Sequence, residues 1–568
     1  MDLITKSLLE EFAREHGVDA LPEERQFEHF ASYITVRRQY TETFDSDEIV
    51  TGAGGDTGID AIAIIVNGSL VTDTESFVEL ADNTSSLDVT FVFVQATRTS
   101  SFDGAKIGNF AYGVRSFFEA TAGELVQNEM VQEAAAIKRA IYERSSKFRR
   151  GNPTCCLYYV TTGRWTGDAN LEGRRVTAIA DLQATQLFSE TKFYPIGANE
   201  IQKLYRQTKN AISRTFTFPN KTVVPEVQGV AQAYLGTLSA PDLLSILKDD
   251  DGELIGNLFY ENVRDWQDYN DVNSEIRATL RSEIKNRFVL MNNGITIIAR
   301  SLQPTGNRFV MEDFQVVNGC QTCHVLFDER DTIDESVAIP LRLIATQDEG
   351  VINSVIRATN RQTEVKEEQF FALTEFAKSL EEFFKTFPNG RKLYYERRSR
   401  QYDSLIGIQK IRIVTPPNLI RAFAAMFLEE PHRTTRNYAA LREKVGQEIF
   451  VEGHKLEPYY LSAWALYRLE ALFRSGRLEA KYKPARFHIL LAVRILANHA
   501  QPPRMNSHDM ETYCSALTES LCDTTRADDL ILRAARAIDD VAAGNFHRDN
   551  IRTEPFTKRV IAYCQLEV

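Results

Sequence analysis

The sequence predicts an α/β fold for its N-terminal part, an α+β fold for its centre and a mostly α-helical C-terminal region. Three observations carry this expectation. Apolar, strand-like runs alternate with amphipathic helical stretches over the first third, the order of a layered α/β core. In the middle, Asn-Gly turns interrupt apolar runs, as in FVLMNNGITIIARSL and FQVVNGCQTCHVLF. From VTPPNL onward, near residue 415, helical periodicity continues almost without a break. These changes of character set segment boundaries at 1–215, 229–415 and 416–568.

Within the first part, MDLITKSLLEEFAREHG is an acidic amphipathic helix, unlike a basic and apolar signal peptide. Residues 22–42 predict a helix, because Phe27, Phe30, Tyr33 and Ile34 recur at helical spacing. GAGGDTGIDAIAIIVNGSLV predicts a Gly-rich turn entering a strand, and residues 89–97 predict another strand. Helices follow over 105–120 and 128–147, then a buried strand, CCLYYVTTG, over 155–163. TFTFPNKTVVPEVQ, residues 215–228, is extended, punctuated by proline, and reads as a linker. In the last part, LSAWALYRLEALFRSG and FHILLAVRILANHA have apolar faces wide enough to be buried.

The totals bound the function. With 568 residues, 43% of them hydrophobic and 25% charged, the chain has material for several ordinary cores. No apolar run approaches the roughly 20 residues that span a bilayer, so a soluble cytoplasmic protein with no membrane partner is expected. Seven cysteines, an odd number, do not form a disulfide framework. Cys320 and Cys323 make the only CxxC, and a zinc site needs about four ligands, so two small buried residues are expected there. The net charge of −12 means that any polyanion must be held by local basic patches. Two such patches stand out. KRAIYERSSKFRRG offers Lys147, Arg149 and Arg150, and RKLYYERRSRQYDSLIGIQKIRI offers Arg397, Arg398 and Arg400 among aromatic rings that suit base stacking.

The first chemical constellation joins two strands. Asp56 and Asp60 lie in GGDTGIDA at a strand entry, and Gln95 lies near the exit of FVFVQAT. Strand ends that meet can aim a carboxylate and an amide oxygen at one Mg²⁺ or Mn²⁺, which takes few protein oxygens and completes its shell with water. Glu28 on the preceding helix offers a further acid. GAGGDTG lacks a G-K-[ST] ending and precedes a strand, so it is not a phosphate loop.

Helix Glu, strand Asp and strand Q-x-[basic] together resemble the PD-(D/E)xK nuclease superfamily. The resemblance implies Asp60 as the central metal ligand, Gln95 at the Glu/Gln position, and Glu28 as the helix acid. The lysine position falls on Thr97, whose hydroxyl cannot neutralise developing charge. Arg98 points to the other side of the strand by alternation. Lys106, at the start of the next helix, is the candidate replacement.

The second constellation is three Asn-rich signatures: NNGIT with Asn292 and Asn293, NGCQT with Asn318, Gly319, Gln321 and Thr322, and TNRQ with Asn360 and Arg361. Each suits a tight turn. In the second, a strand turns directly into a helix, whose first N–H groups make an anion site. LIGNLFYENVRDW, FVLMNNGITIIA, DFQVVNGCQT, IRATNRQTEV and YYERRSRQY together closely resemble the AIPR family, named for abortive infection and phage resistance. This resemblance covers roughly 229–415, and the GDTGID and VQAxRxSSF patterns extend it toward the N-terminus.

It implies bacterial antiphage defence by a nuclease-like module on a family core, acting on nucleic acid, DNA foremost. A nucleotide or phage-derived trigger and assembly into a homo-oligomer are the partners this implies. VNGCQT is more distantly similar to the DGQHR type of signature in ParB-related and DNA-sulfur-associated proteins, which implies a nucleotide or DNA backbone at the Asn-rich residues. Two readings therefore stand side by side: a metal-dependent effector that cuts, and a non-catalytic binding or sensor protein that keeps the nuclease fold.

Overall fold

The computed structural model describes residues 1–40, 42–52, 58–119, 128–148, 151–209, 212–248, 252, 254–259, 271–359, 375–397, 401–403, 405, 407–436 and 438–566. They form two compact units, one made of Met1–Thr208 together with Phe371–Val568, the other of Lys209–Phe370.

In the first unit, helices α1 (Leu3–His16) and α2 (Glu23–Val36) precede strands β1 (Ala61–Val66) and β2 (Ser69–Val71) and helix α3 (Thr74–Asp82). Then come β3 (Val89–Thr97), α4 (Gly104–Glu119), α5 (Glu129–Glu143), β4 (Thr154–Thr161), α6 (Ala169–Gln183), β5 (Glu190–Ile196) and α7 (Ala198–Lys209). The five strands pair in the order β2-β1-β3-β4-β5. β1 is antiparallel to both of its neighbours, whereas β3, β4 and β5 run parallel.

β3 is central and apolar on both sides, as expected of a strand covered by helices on each face. Phe91 and Phe93 share one face with Ile62, Ile64, Leu157 and the apolar side of α4. Val92 and Val94 share the other with Ala61, Tyr158 and the apolar side of α2. Both phenylalanines are 0% exposed, and burying each contributes roughly 2–3 kcal/mol. The β3–α4 loop crosses the end of β4 at Gly163, where a Cβ would lie 2.5 Å from the Ser100 carbonyl oxygen.

The rest of this unit is mostly helical, with one short parallel pair of strands, Tyr394–Tyr395 with Ile413–Val414. Glu375–Lys385, Pro416–Phe427, Glu457–Arg474, Arg486–Ala497, His508–Cys522, Thr524–Ala542 and Glu554–Leu566 are its longer helices, packed around one large core that includes Phe423, Tyr459, Trp464 and Ile538. Polar pairs join the sheet part to this helical part: Arg37 to Asp403 at 2.5 Å, Thr43 to Glu396 at 3.0 Å and Arg552 to Glu75 at 2.5 Å.

The second unit holds β6 (Ser213–Thr217), β7 (Asn220–Val223), β8 (Gln232–Ser239), α8 (Ala240–Leu247), α9 (Asp271–Arg281) and the single turn α10 (Phe288–Met291). β9 (Ile295–Thr305), β10 (Arg308–Asn318), α11 (Cys320–Asp328), β11 (Ala338–Ala345) and α12 (Glu349–Thr359) follow. Its six strands pair in the order β6-β10-β9-β11-β8-β7. The stretch expected to be a linker instead supplies β6 and β7, the two edge strands. Their prolines fall between or after the paired residues, where no ladder hydrogen bond is lost. α/β structure in the N-terminal half and a helical C-terminal region are thus both present. Among the described residues no helix is long and apolar enough to cross a membrane.

Candidate functional site

The alternation that buries Phe91 and Phe93 carries Gln95 onto the same face of β3. The antiparallel register ends with Ala61 opposite Val94, and Asp60, just before β1, lies against the exit of β3. Asp60 is half-buried. Its carboxylate accepts a hydrogen bond from the Ala96 N–H at 2.7 Å, and its own N–H donates to the Val94 carbonyl at 2.8 Å. The carboxylate is therefore held at the exit of β3 by the strand beside it. The side-chain oxygen of Gln95 is shielded from solvent and accepts no hydrogen bond.

On the parallel neighbour, Tyr159 of β4 is in register with Gln95 and lies in the same apolar cluster as Phe93. Its hydroxyl is also buried and without a hydrogen-bond partner. Burial first, then the carboxylates of Asp103 and Asp60, push the Tyr159 phenol up to about 12. Asp103 caps α4, accepting from the N–H groups of Ala105 at 2.8 Å and Lys106 at 3.3 Å. One end of the sheet thus gathers Asp60, Gln95, Tyr159 and the start of α4. Sequence reading missed Tyr159 and Asp103. The signal for Tyr159 was its place in CCLYYVTT, a strand that reads as all core, and only the register with Gln95 distinguishes it.

The other residues expected here are placed differently. α2 packs its apolar side on the opposite face of the sheet, where Glu28 pairs with Arg25 one turn away. Arg98 reaches Glu23 of α2 at 2.9 Å, in keeping with its alternation away from Gln95. Thr97 is in register with Thr161. Lys106 is exposed on the first turn of α4, and its ammonium forms no ion pair among the described residues. Asp56 lies outside the described residues.

Among the described residues, no group of three or more His, Cys, Asp or Glu could hold a metal ion. Asp60 and Gln95 supply two hard oxygens, the buried Gln95 oxygen being otherwise unpartnered. That donor set fits Mg²⁺ or Mn²⁺, which accept one or two protein ligands and complete their shell with water.

In the second unit, hydrogen bonds link the three Asn-rich signatures. Asn292 donates to the Thr322 hydroxyl at 3.1 Å, and Asn318 donates to the Thr359 carbonyl at 2.7 Å. Gln321 accepts from buried Asn273 at 2.7 Å. Gly319, with φ of 97°, turns β10 into α11, and a Cβ there would lie 2.6 Å from Ile295. Asn293 is exposed beside this cluster, while Asn360 and Arg361 lie outside the described residues. Cys320 and Cys323 are both buried free thiols, and burial raises the Cys323 thiol well above its ordinary range.

Among the described residues of the two basic patches, Arg397 and Lys147 are engaged inside the fold. Arg397 is buried and pairs with Glu381 at 3.0 Å, which corrects its expected place on a nucleic-acid surface. Half-buried Lys147 donates to the carbonyls of Ala81 at 2.5 Å and Thr84 at 3.0 Å, closing the turn after α3. Arg149, Arg150, Arg398 and Arg400 lie outside the described residues.

No curated protein and no solved structure matches the chain. A family model described as AIPR protein matches residues 259–530, a stretch that includes the Asn-rich β9–α11 region and most of the helical part but neither Asp60 nor Gln95. Over those residues, just under half of the chain, the sequence is similar to the AIPR family.

Proposed function

We propose that this protein is an antiphage defence protein of the abortive-infection type, a role the AIPR match supports. In this reading its N-terminal sheet acts on the phosphodiester backbone of nucleic acid, DNA foremost, with Asp60 and Gln95 as the pair that binds a divalent metal. The observation that carries the nuclease part is the Asp60 carboxylate tied to the Ala96 N–H at the exit of β3, next to Gln95, with the Gln95 oxygen buried and unpartnered. The order of helix α2, strands β1 to β3, helix α4 and parallel strand β4 supports the nuclease-like reading as well. A divalent ion held there would supply water activation and charge stabilisation. The chain's own part is to fix the Asp60 carboxylate by the Ala96 N–H and to bring the start of α4 beside it. The Asn-rich cluster of the second unit is the proposed place for a nucleotide or phage-derived trigger, and homo-oligomer assembly is the role proposed for the helical part.

A second reading is favoured by Thr97, which leaves β3 without the cation of the nuclease pattern, and by Lys106, which is exposed. Here the same site grips nucleic acid without cutting it.

Cleavage of plasmid and linear DNA with Mg²⁺ or Mn²⁺ separates the two. Wild-type cleavage that falls about 100-fold or more in Asp60→Ala supports the effector, and an equal loss in Lys106→Ala assigns the missing cation to α4. Folded wild type that binds Mn²⁺ and DNA but does not cut supports the second reading. Absence of Mn²⁺ binding sinks the metal pair in both. Because the chain carries −12 overall, DNA affinity is expected to fall steeply with salt as local basic contacts are screened. A flat salt titration would count against phosphate contacts.

A further inference from the structure

We propose that Tyr159 is a positioning residue of this site, and that its hydroxyl and the Gln95 carbonyl together hold one water molecule beside Asp60. The inference rests on the functional reading above only for the use made of that water.

Tyr159 is 0% exposed, and its ring packs 6.0 Å from that of Phe102 and 6.4 Å from that of Phe110. Its hydroxyl and the Gln95 oxygen are both shielded from solvent and both lack hydrogen-bond partners, on adjacent strands and in register. Leaving each buried polar atom unsatisfied costs about 1–3 kcal/mol, and two such atoms on residues in register across adjacent strands call for a shared partner. Their chemistry is complementary: the phenol donates, and the amide oxygen only accepts.

They are not bonded to each other, so the group that satisfies both must accept from Tyr159 and donate to Gln95. A water molecule does this, whereas a metal cation would satisfy the amide oxygen alone. The amide oxygen has two lone pairs, so accepting from the water leaves one for a cation. A phenol keeps its proton across neutral pH, so Tyr159 stays a donor.

A water fixed by Tyr159 and Gln95, next to the carboxylate that the Ala96 N–H aims, has a set orientation. Orienting a water is one role that a lysine at position 97 would have had. Thr97 lies one step further along the same face, paired with Thr161. The donor is thus displaced from β3 to its parallel neighbour.

Tyr159→Phe removes one oxygen and keeps the packed ring, so the fold is retained. A high-resolution crystal structure of the full wild-type chain is expected to show one water within hydrogen-bond distance of both atoms. In urea unfolding, Tyr159→Phe and Gln95→Met are expected to couple, the double variant losing clearly less than the sum of the singles. In an active wild type, Tyr159→Phe is expected to lower kcat about tenfold with KM within about twofold. No shared water, or additive losses, overturns the proposal, as does an unchanged kcat in an active enzyme. An inactive wild type in which the water and the coupling are both present removes the cutting reading and leaves the Tyr159–Gln95 water standing.

Discussion

Glu396 illustrates how much one side chain's role depends on where it ends up. It is 4% exposed, and its carboxylate accepts from the Thr43 hydroxyl at 3.0 Å. Burial, opposed by the Thr43 hydrogen bond and reinforced by nearby Asp403, pushes its pKa up to about 7. A carboxyl raised above its unfolded value stabilises the fold while protonated. That contribution is complete below the unfolded value and is lost as pH rises through the folded one.

The wild type is therefore expected to lose urea stability between about pH 5 and pH 8 relative to Glu396→Gln, by on the order of 2–3 kcal/mol. Other titrating groups shift both proteins alike, so the difference between them isolates Glu396. Parallel pH profiles would show that Glu396 is ionised without penalty. In the sequence, Glu396 and Arg397 belong to a basic, aromatic run that suits a nucleic-acid surface. Arg397 instead meets Glu381, and Asp403 meets Arg37 across 366 residues of chain. Local pattern cannot report a partner that far away.

At the scale of elements, β3 is legible because both of its faces are apolar: residues 89–97 are a strand in the sequence reading and in the fold. β6 and β7 are not, since short edge strands exposed on one side are as polar and proline-rich as a linker. The loop that brings α4 to the site depends on Gly163. Gly163→Ala is expected to destabilise by about 1–3 kcal/mol in urea unfolding, because the new methyl meets the rigid Ser100 carbonyl. Gly173 lies exposed inside α6, with open space where a Cβ would stand. Gly173→Ala is expected to stabilise by about 0.5–1 kcal/mol. Equal effects of the same sign would mean that the β3–α4 crossing is loose.

At the scale of the molecule, the first unit is discontinuous: residues 209–370 are inserted between its sheet part and its helical part. Composition divides the chain into three consecutive segments, because it reports local character and not which distant segments pack. Buried Asp403 is held by Arg37 at 2.5 Å and Lys410 at 3.5 Å, and removing one partner of a buried pair costs about 3–5 kcal/mol. A fragment of residues 1–208 alone is accordingly expected to be cut by trypsin faster than the same residues in the full chain, and Arg37→Met is expected to lower the unfolding midpoint. Equal protection of the fragment would show that the sheet part folds independently of the helices.

The α/β beginning, the helical end, the pair Asp60 and Gln95 and the departure at Thr97 are all legible in the unfolded chain. They depend on periodicity of two or 3.6 residues and on residue chemistry, which are local properties. Folding had to settle the rest: that Asp60 is tied to the exit of β3, that Tyr159 is in register with Gln95, that the Asn-rich turns bind one another and that Arg397 is buried. Each of these is set by strand register or by a partner distant in the chain. A register shift of one residue would turn the strand side chains among them to the opposite face.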